Sequence, residues 1–195
     1  MLASAVPFSL PQPPSAGVVV IADIDGILRL ADIRTLAEAR PVLNSLSGST
    51  IVFCSGRSAA DVRALQQELG IREPFISDGG AALHIPHGYF CGTASEGDTD
   101  GFETIDFGVR RLAHAVRLII ALFRTCPSVP IVVGLGLEWR DRVLLREVDV
   151  PVVIRDPRLD QSALLRNVPQ AHVTDAPGGA GLAALLLGHG SVGRA

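Results

Sequence analysis

Six residues, Gly17-Val-Val-Val-Ile-Ala22, run without a polar side chain into Asp23-Ile24-Asp25-Gly26. Four of the six are β-branched, the run is too short for a buried helix, and unbroken apolarity suits a central strand of a parallel sheet covered on both faces. Parallel strands need crossover connections, so the rest of the chain has to supply helices. The fold class that follows is α/β, with a doubly wound parallel sheet. Open sheets of this kind place ligands beyond the carboxyl ends of their strands, where Asp23 and Asp25 would stand. In an extended chain the two acids project to the same side with Ile24 turned away, and carboxylates so placed repel unless a cation or a shared proton relieves them. That pattern suits a divalent metal. An Asp-x-Asp-Gly that only turns the chain is the plainer alternative.

Further along, an imperfect helical stripe over residues 32–46, interrupted by Pro41, fits a crossover helix. Thr50-Ile-Val-Phe-Cys54 reads as a second buried strand, followed by Ser55-Gly56-Arg57-Ser58 and a helix from about Ala59 to Leu69 that Gly70 ends. A small hydroxyl and a glycine at such a strand-to-helix turn offer donors to an anion. Ser55 as a helix cap alone is the other possibility. Pro74 to Ser77 and Ala81 to Ile85 are short strands around the turn Asp78-Gly79-Gly80. His84 and His87 then fall in a stretch that Pro86 and Gly88 mark as loop rather than metal site. Glu103 to Phe107 is a strand, Val109 to Phe123 an amphipathic helix, and Pro130 to Val133 a strand leading to Gly134-Leu-Gly-Leu-Glu-Trp-Arg-Asp141.

These motifs resemble the haloacid dehalogenase superfamily, Cof-like branch. The first is Asp23-Ile24-Asp25-Gly26-Ile27, with Ile27 where that family has Thr, and the second is Ser55-Gly56-Arg57. The tail segments Val148 to Pro151, Arg155 to Pro157 and Val173 to Gly178 resemble the mannosyl-3-phosphoglycerate phosphatase family. The resemblance implies an Mg²⁺-dependent phosphate monoester hydrolase acting on a small sugar phosphate or phosphoglycerate-type ester. Asp23 would be nucleophile and Asp25 general acid and base, with Ser55, Gly56 and Arg57 on the substrate and Asp23, Asp25 and Asp141 on the metal. It also implies that a Lys has become Leu112, and that the first acid and the Asn of the fourth motif have become Leu137 and Arg140. A capless remnant that binds phosphate or a protein without turnover is the second reading, and a phospho-accepting receiver domain the third.

At 195 residues one domain is expected: a tail over 1–16, a core over 17–188 and a tail over 189–195, with a loop or hairpin at about 88–108 in place of a cap. Net charge −3 gives no footprint for nucleic acid, and no apolar run reaches the ~20 residues that span a bilayer. The N-terminal stretch, broken by Pro7, Pro11, Pro13 and Pro14, lacks a signal-peptide pattern. Cys54, Cys91 and Cys126 are odd in number and lack metal-ligand spacing, which favours reduced thiols and the cytoplasm. Composition leaves the oligomeric state open.

Overall fold

A computed structural model describes residues 17–26, 49–90, 101–109, 111–177, 180 and 192–194. The strands are β1 (Val18–Asp23), β2 (Ser49–Cys54), β3 (Phe75–Ser77), β4 (Ala82–Pro86), β5 (Phe102–Asp106), β6 (Ile131–Gly136), β7 (Val150–Arg155), β8 (His172–Pro177) and β9 (Val192–Arg194). The helices are α1 (Ala59–Leu69), α2 (Leu112–Arg124), α3 (Arg142–Leu145) and α4 (Ser162–Asn167), with a 3-10 turn over Trp139–Asp141 before α3. Among the described residues the strands form one sheet in the order β5-β4-β3-β2-β1-β6-β7-β8-β9.

Six strands, β3-β2-β1-β6-β7-β8, run parallel, and the pairings β3–β4, β4–β5 and β8–β9 are antiparallel. The α/β class and the mostly parallel sheet agree with the expectation, and β1 is its central strand. Its alternation divides the core. Val19 and Ile21 join the cluster that holds Ala115, Val116, Ile119, Ile120 and Phe123 of α2. Val20 and Ala22 face the other way, against Leu135, Leu137, Val152 and Ile154. Ile24 continues on that second face among Phe53, Phe75 and the α1 residues Val62 and Leu69. Helices α1 and α2 therefore cover opposite faces, and a side chain such as Ile21, wholly removed from water, contributes about 1.5–3 kcal/mol.

Two boundaries moved for identifiable reasons. β6 runs on through Gly134 and Gly136, beyond the expected end at Val133. A Cβ at Gly134 would lie 2.7 Å from Val148 Cγ2 and one at Gly136 2.6 Å from Asp141 Cβ, so these glycines are strand positions under close approach. Residues 189–195, expected as a tail, contain β9, which pairs with β8 through main-chain bonds that need no side-chain pattern. The expected crossover helix at 32–46 and residues 91–100 of the expected loop or hairpin lie outside the described residues. No described helix is long and apolar enough to cross a membrane.

Candidate active site

At the carboxyl edge of the sheet, β1 ends on Asp23 and the chain turns helical at 24–26. The sheet's strand order reverses here, because β2 and β3 extend from one side of β1 and β6 and β7 from the other. Such a switch point opens a crevice between diverging connections. The crevice is a cleft of about 310 Å³ lined by residues that include Asp23, Asp25, Ser55, Leu112, Arg140 and Asp141.

The turn after β2 closes on Asp25. Ser55 Oγ donates to Asp25 Oδ1 at 2.8 Å, Gly56 N donates to Oδ2 at 2.6 Å, and Arg57 Nε lies 3.3 Å from Oδ1. The three residues expected on the substrate thus converge on a carboxylate of the protein itself. The turn is braced from behind, where Asp78 N and Gly79 N donate to Arg57 O and Ser55 O, each at 2.9 Å. Ser58, one residue on, caps α1 by accepting from Asp61 N, and Gly70 closes the helix at φ 67°. Ser55 is therefore not the helix cap.

Asp141 reaches the cleft from the turn after β6. Its Oδ2 accepts from Leu137 N at 2.6 Å and Glu138 N at 2.8 Å, which fixes the carboxyl group 3% exposed. Asp23 is also buried. Burial first, then the charge of the Asp141 carboxyl beside it, raise the Asp23 pKa to about 7, while Arg140 pulls it down. Arg140 Nη2 donates to Asp23 Oδ2 at 3.1 Å, and Arg140 Nε stands 3.6 Å from Glu138 Oε2 and 3.7 Å from Asp141 Oδ1. Partial burial works against the Arg140 charge, but Asp23, Asp141 and Glu138 outweigh it and hold the guanidinium ionised.

All six expected site residues come together, yet they do not form a cage for Mg²⁺. That ion demands near-octahedral oxygen coordination. Here both Asp25 oxygens, both Asp23 oxygens and one Asp141 oxygen already accept from protein donors. Leu137, standing where the resemblance puts a metal-binding acid, is 2% exposed and packed in the apolar cluster of β1, β6 and β7. Among the described residues no group of three or more His, Cys, Asp or Glu could hold a metal.

Leu112, at the expected Lys position, does line the cleft. It is set there by Gly80, at φ 95°, where any Cβ would lie 2.4 Å from the Leu112 backbone. His84 is structural, bonded to Ser77 Oγ and Thr104 Oγ1 and stacked on Phe75. Cys54 is a buried free thiol in the cleft wall whose pKa burial pushes up, with Asp23 and Asp141 adding to it. Sequence reasoning marked Arg140 only as a departure at the Asn position of the fourth motif and gave it no part in the site, where it pairs with Asp23.

No family model matches the chain. In sequence it is similar, at 35% identity over 74 residues, to a glucosyl-3-phosphoglycerate/mannosyl-3-phosphoglycerate phosphatase of Persephonella marina. The match covers 37% of this chain and 28% of that protein, so the chain spans under a third of its relative's length. Among solved structures, yhjK of Bacillus subtilis, a haloacid dehalogenase-like hydrolase protein, superposes with a TM-score of 0.58 at 11% identity, covering 92% of this chain and 93% of that one. The sucrose-phosphatase of Synechocystis, solved in complex with sucrose and phosphate, superposes with a TM-score of 0.56 at 10% identity, covering 90% and 98%. At these identities the likeness is one of fold.

Proposed function

We propose that the chain, whose fold is like that of the haloacid dehalogenase-like hydrolase from Bacillus subtilis, is a member of the haloacid dehalogenase superfamily and hydrolyses phosphate monoesters through an aspartyl-phosphate on Asp23. The observation that carries the reading is the Asp23 carboxyl at the tip of the central strand, raised to about 7 and facing a cleft with a second carboxyl, Asp25, two residues on. An Asp23 oxygen attacks phosphorus, the P–O bond to the alcohol breaks, and Asp25 gives the leaving oxygen a proton. Water then attacks the acyl phosphate, Asp25 takes its proton, and inorganic phosphate leaves. In this reading Ser55 Oγ–H and Gly56 N–H, now on Asp25, pass to phosphate oxygens, with Arg57 and Arg140 as the positive charges beside a dianion.

The substrate class in this reading is a small phosphate ester of the sugar or phosphoglycerate type, supported by the partial likeness to the Persephonella phosphatase. The antiparallel return of β5 onto β4 supports a hairpin in place of a folded lid. The buried free thiol of Cys54 supports the cytoplasm. Mg²⁺, which the resemblance implies, enters no step here because the donor set does not fit it. Binding without turnover is a second reading, favoured by the ion pair between Arg140 and Asp23, since a paired carboxylate is a weaker nucleophile.

The test is phosphate release from a panel of phosphate monoesters, with and without Mg²⁺, beside Asp23→Asn. Release by the wild type and none by the variant is the expected result. Release by both, or by neither on any ester, would sink the reading.

A further inference from the structure

We propose that Arg140 is the resident cation of the cleft, its guanidinium paired with Asp23 and set beside Asp141, so that phosphate binds without metal and a divalent ion enters only once Arg140 is gone. The inference rests on the phosphatase reading for its ligand, but its electrostatic core does not.

Three acids crowd one wall. Asp23 and Asp141 are both buried, the Asp141 charge raises the Asp23 carboxyl, and Glu138 joins them around the Arg140 guanidinium. Like charges so placed require a counter-charge or a retained proton. Arg140 supplies the counter-charge from inside the same turn. Its Nη2 lies 3.1 Å from Asp23 Oδ2, and its Nε lies 3.6 and 3.7 Å from Glu138 Oε2 and Asp141 Oδ1.

The backbone holds this arrangement in register. Asp141 is locked by the N–H groups of Leu137 and Glu138, and Gly136 lets the Asp141 Cβ approach to a distance no side chain would allow. A guanidinium keeps its charge at every pH at which the carboxylates titrate, and its planar fork fits carboxylate and phosphate alike. Among the described residues nothing accepts from Nη1, so that edge is available to a phosphate oxygen while Nη2 stays on Asp23. Arg140 is half-exposed, so the same guanidinium can follow an incoming dianion without leaving the site. A divalent ion would have to displace a charge already tethered there. It would then find no acid at position 137, whose side chain lies in the apolar core, and Asp25 already engaged by Ser55 and Gly56.

The experiment compares wild type, Arg140→Asn and Arg140→Lys, using Mn²⁺ alone and inorganic phosphate alone as probes. Calorimetry and thermal melts are read in chelator and in Mn²⁺. Wild type and Arg140→Lys should show no Mn²⁺ binding and no melting shift at millimolar Mn²⁺. Arg140→Asn should melt lower in chelator and gain Mn²⁺ affinity of about tenfold or more over wild type, with a matching rise in melting temperature.

Wild-type affinity for phosphate should be the same in chelator and in Mn²⁺, whereas that of Arg140→Asn should fall about tenfold in chelator and recover with Mn²⁺. Mn²⁺ binding by wild type as tight as by Arg140→Asn, or wild-type phosphate binding that needs Mn²⁺, overturns the proposal. Should Arg140→Asn not fold, Mn²⁺ binding by wild type or by Arg140→Lys still overturns it. Absence of phosphate binding in every arm counts against the phosphatase reading, and the Mn²⁺ contrast still decides the place of Arg140.

Discussion

Asp23 ionises near pH 7 in the fold and near 3.8 as an unperturbed group, so the folded chain holds its proton more tightly over that interval. Stability from this group is full below the lower value and is lost as pH rises through the upper one. Glu73, also raised to about 7, first by burial and with the Tyr89 hydroxyl pulling it back, adds a slope of the same sign. Activity should move the opposite way, because attack on phosphorus needs the ionised carboxylate. Phosphate release is therefore expected to rise with pH through about 7 while the melting temperature falls over the same interval. Asp23→Asn should remove part of the melting slope and leave the Glu73 part. A rate profile with its midpoint below pH 5, or melts whose pH slope Asp23→Asn leaves unchanged, would contradict this. Asp23, Asp25 and the 55–57 turn were legible in the sequence because each sits at the end of a buried strand. Arg140 was not, because its partner Asp23 is 117 residues away and no local pattern joins them.

Among the elements, β1, β2 and the start of β6 could be read from unbroken β-branched runs, and α2 from an apolar stripe that the structure buries at Ala115, Val116, Ile119, Ile120 and Phe123. The directions of β4, β5 and β9 could not, since an edge strand pairs through its backbone and its side chains record little of the partner. The glycines of β6 misled for a related reason. They read as lying beyond the end of the strand, but they are strand positions that leave the gap into which Val148 and Asp141 pack. Gly136→Ala is therefore expected to displace Asp141 from the Leu137 and Glu138 N–H groups, and overpacking of this kind costs about 1–3 kcal/mol. Phosphate release should fall by more than the loss of folded protein accounts for. Denaturant titration beside the rate per folded molecule checks it, and an unchanged rate per folded molecule would show that Asp141 placement does not matter.

Over the whole molecule, the sheet puts its first strand in the middle. β1 is flanked by β2 from the next crossover and by β6 from much later in the chain, with Val18 paired to Ile131. Reading Asp23 as a strand-tip acid needed only the first few residues of the core, whereas its second wall is supplied by a turn beyond position 136. During synthesis, Asp23 is made 117 residues before Arg140. At roughly 5–20 residues per second that is an interval of about 6–23 s. Throughout it β1 has a bare edge where β6 will dock, so the nascent chain carries an adhesive strand and an unneutralised acid. Ribosome-arrested chains ending near residue 125 should therefore be cleaved by protease within residues 17–26 and captured by chaperone, and chains arrested well beyond residue 177 should not. Equal protection at both lengths would mean that β1 is sheltered by something other than β6.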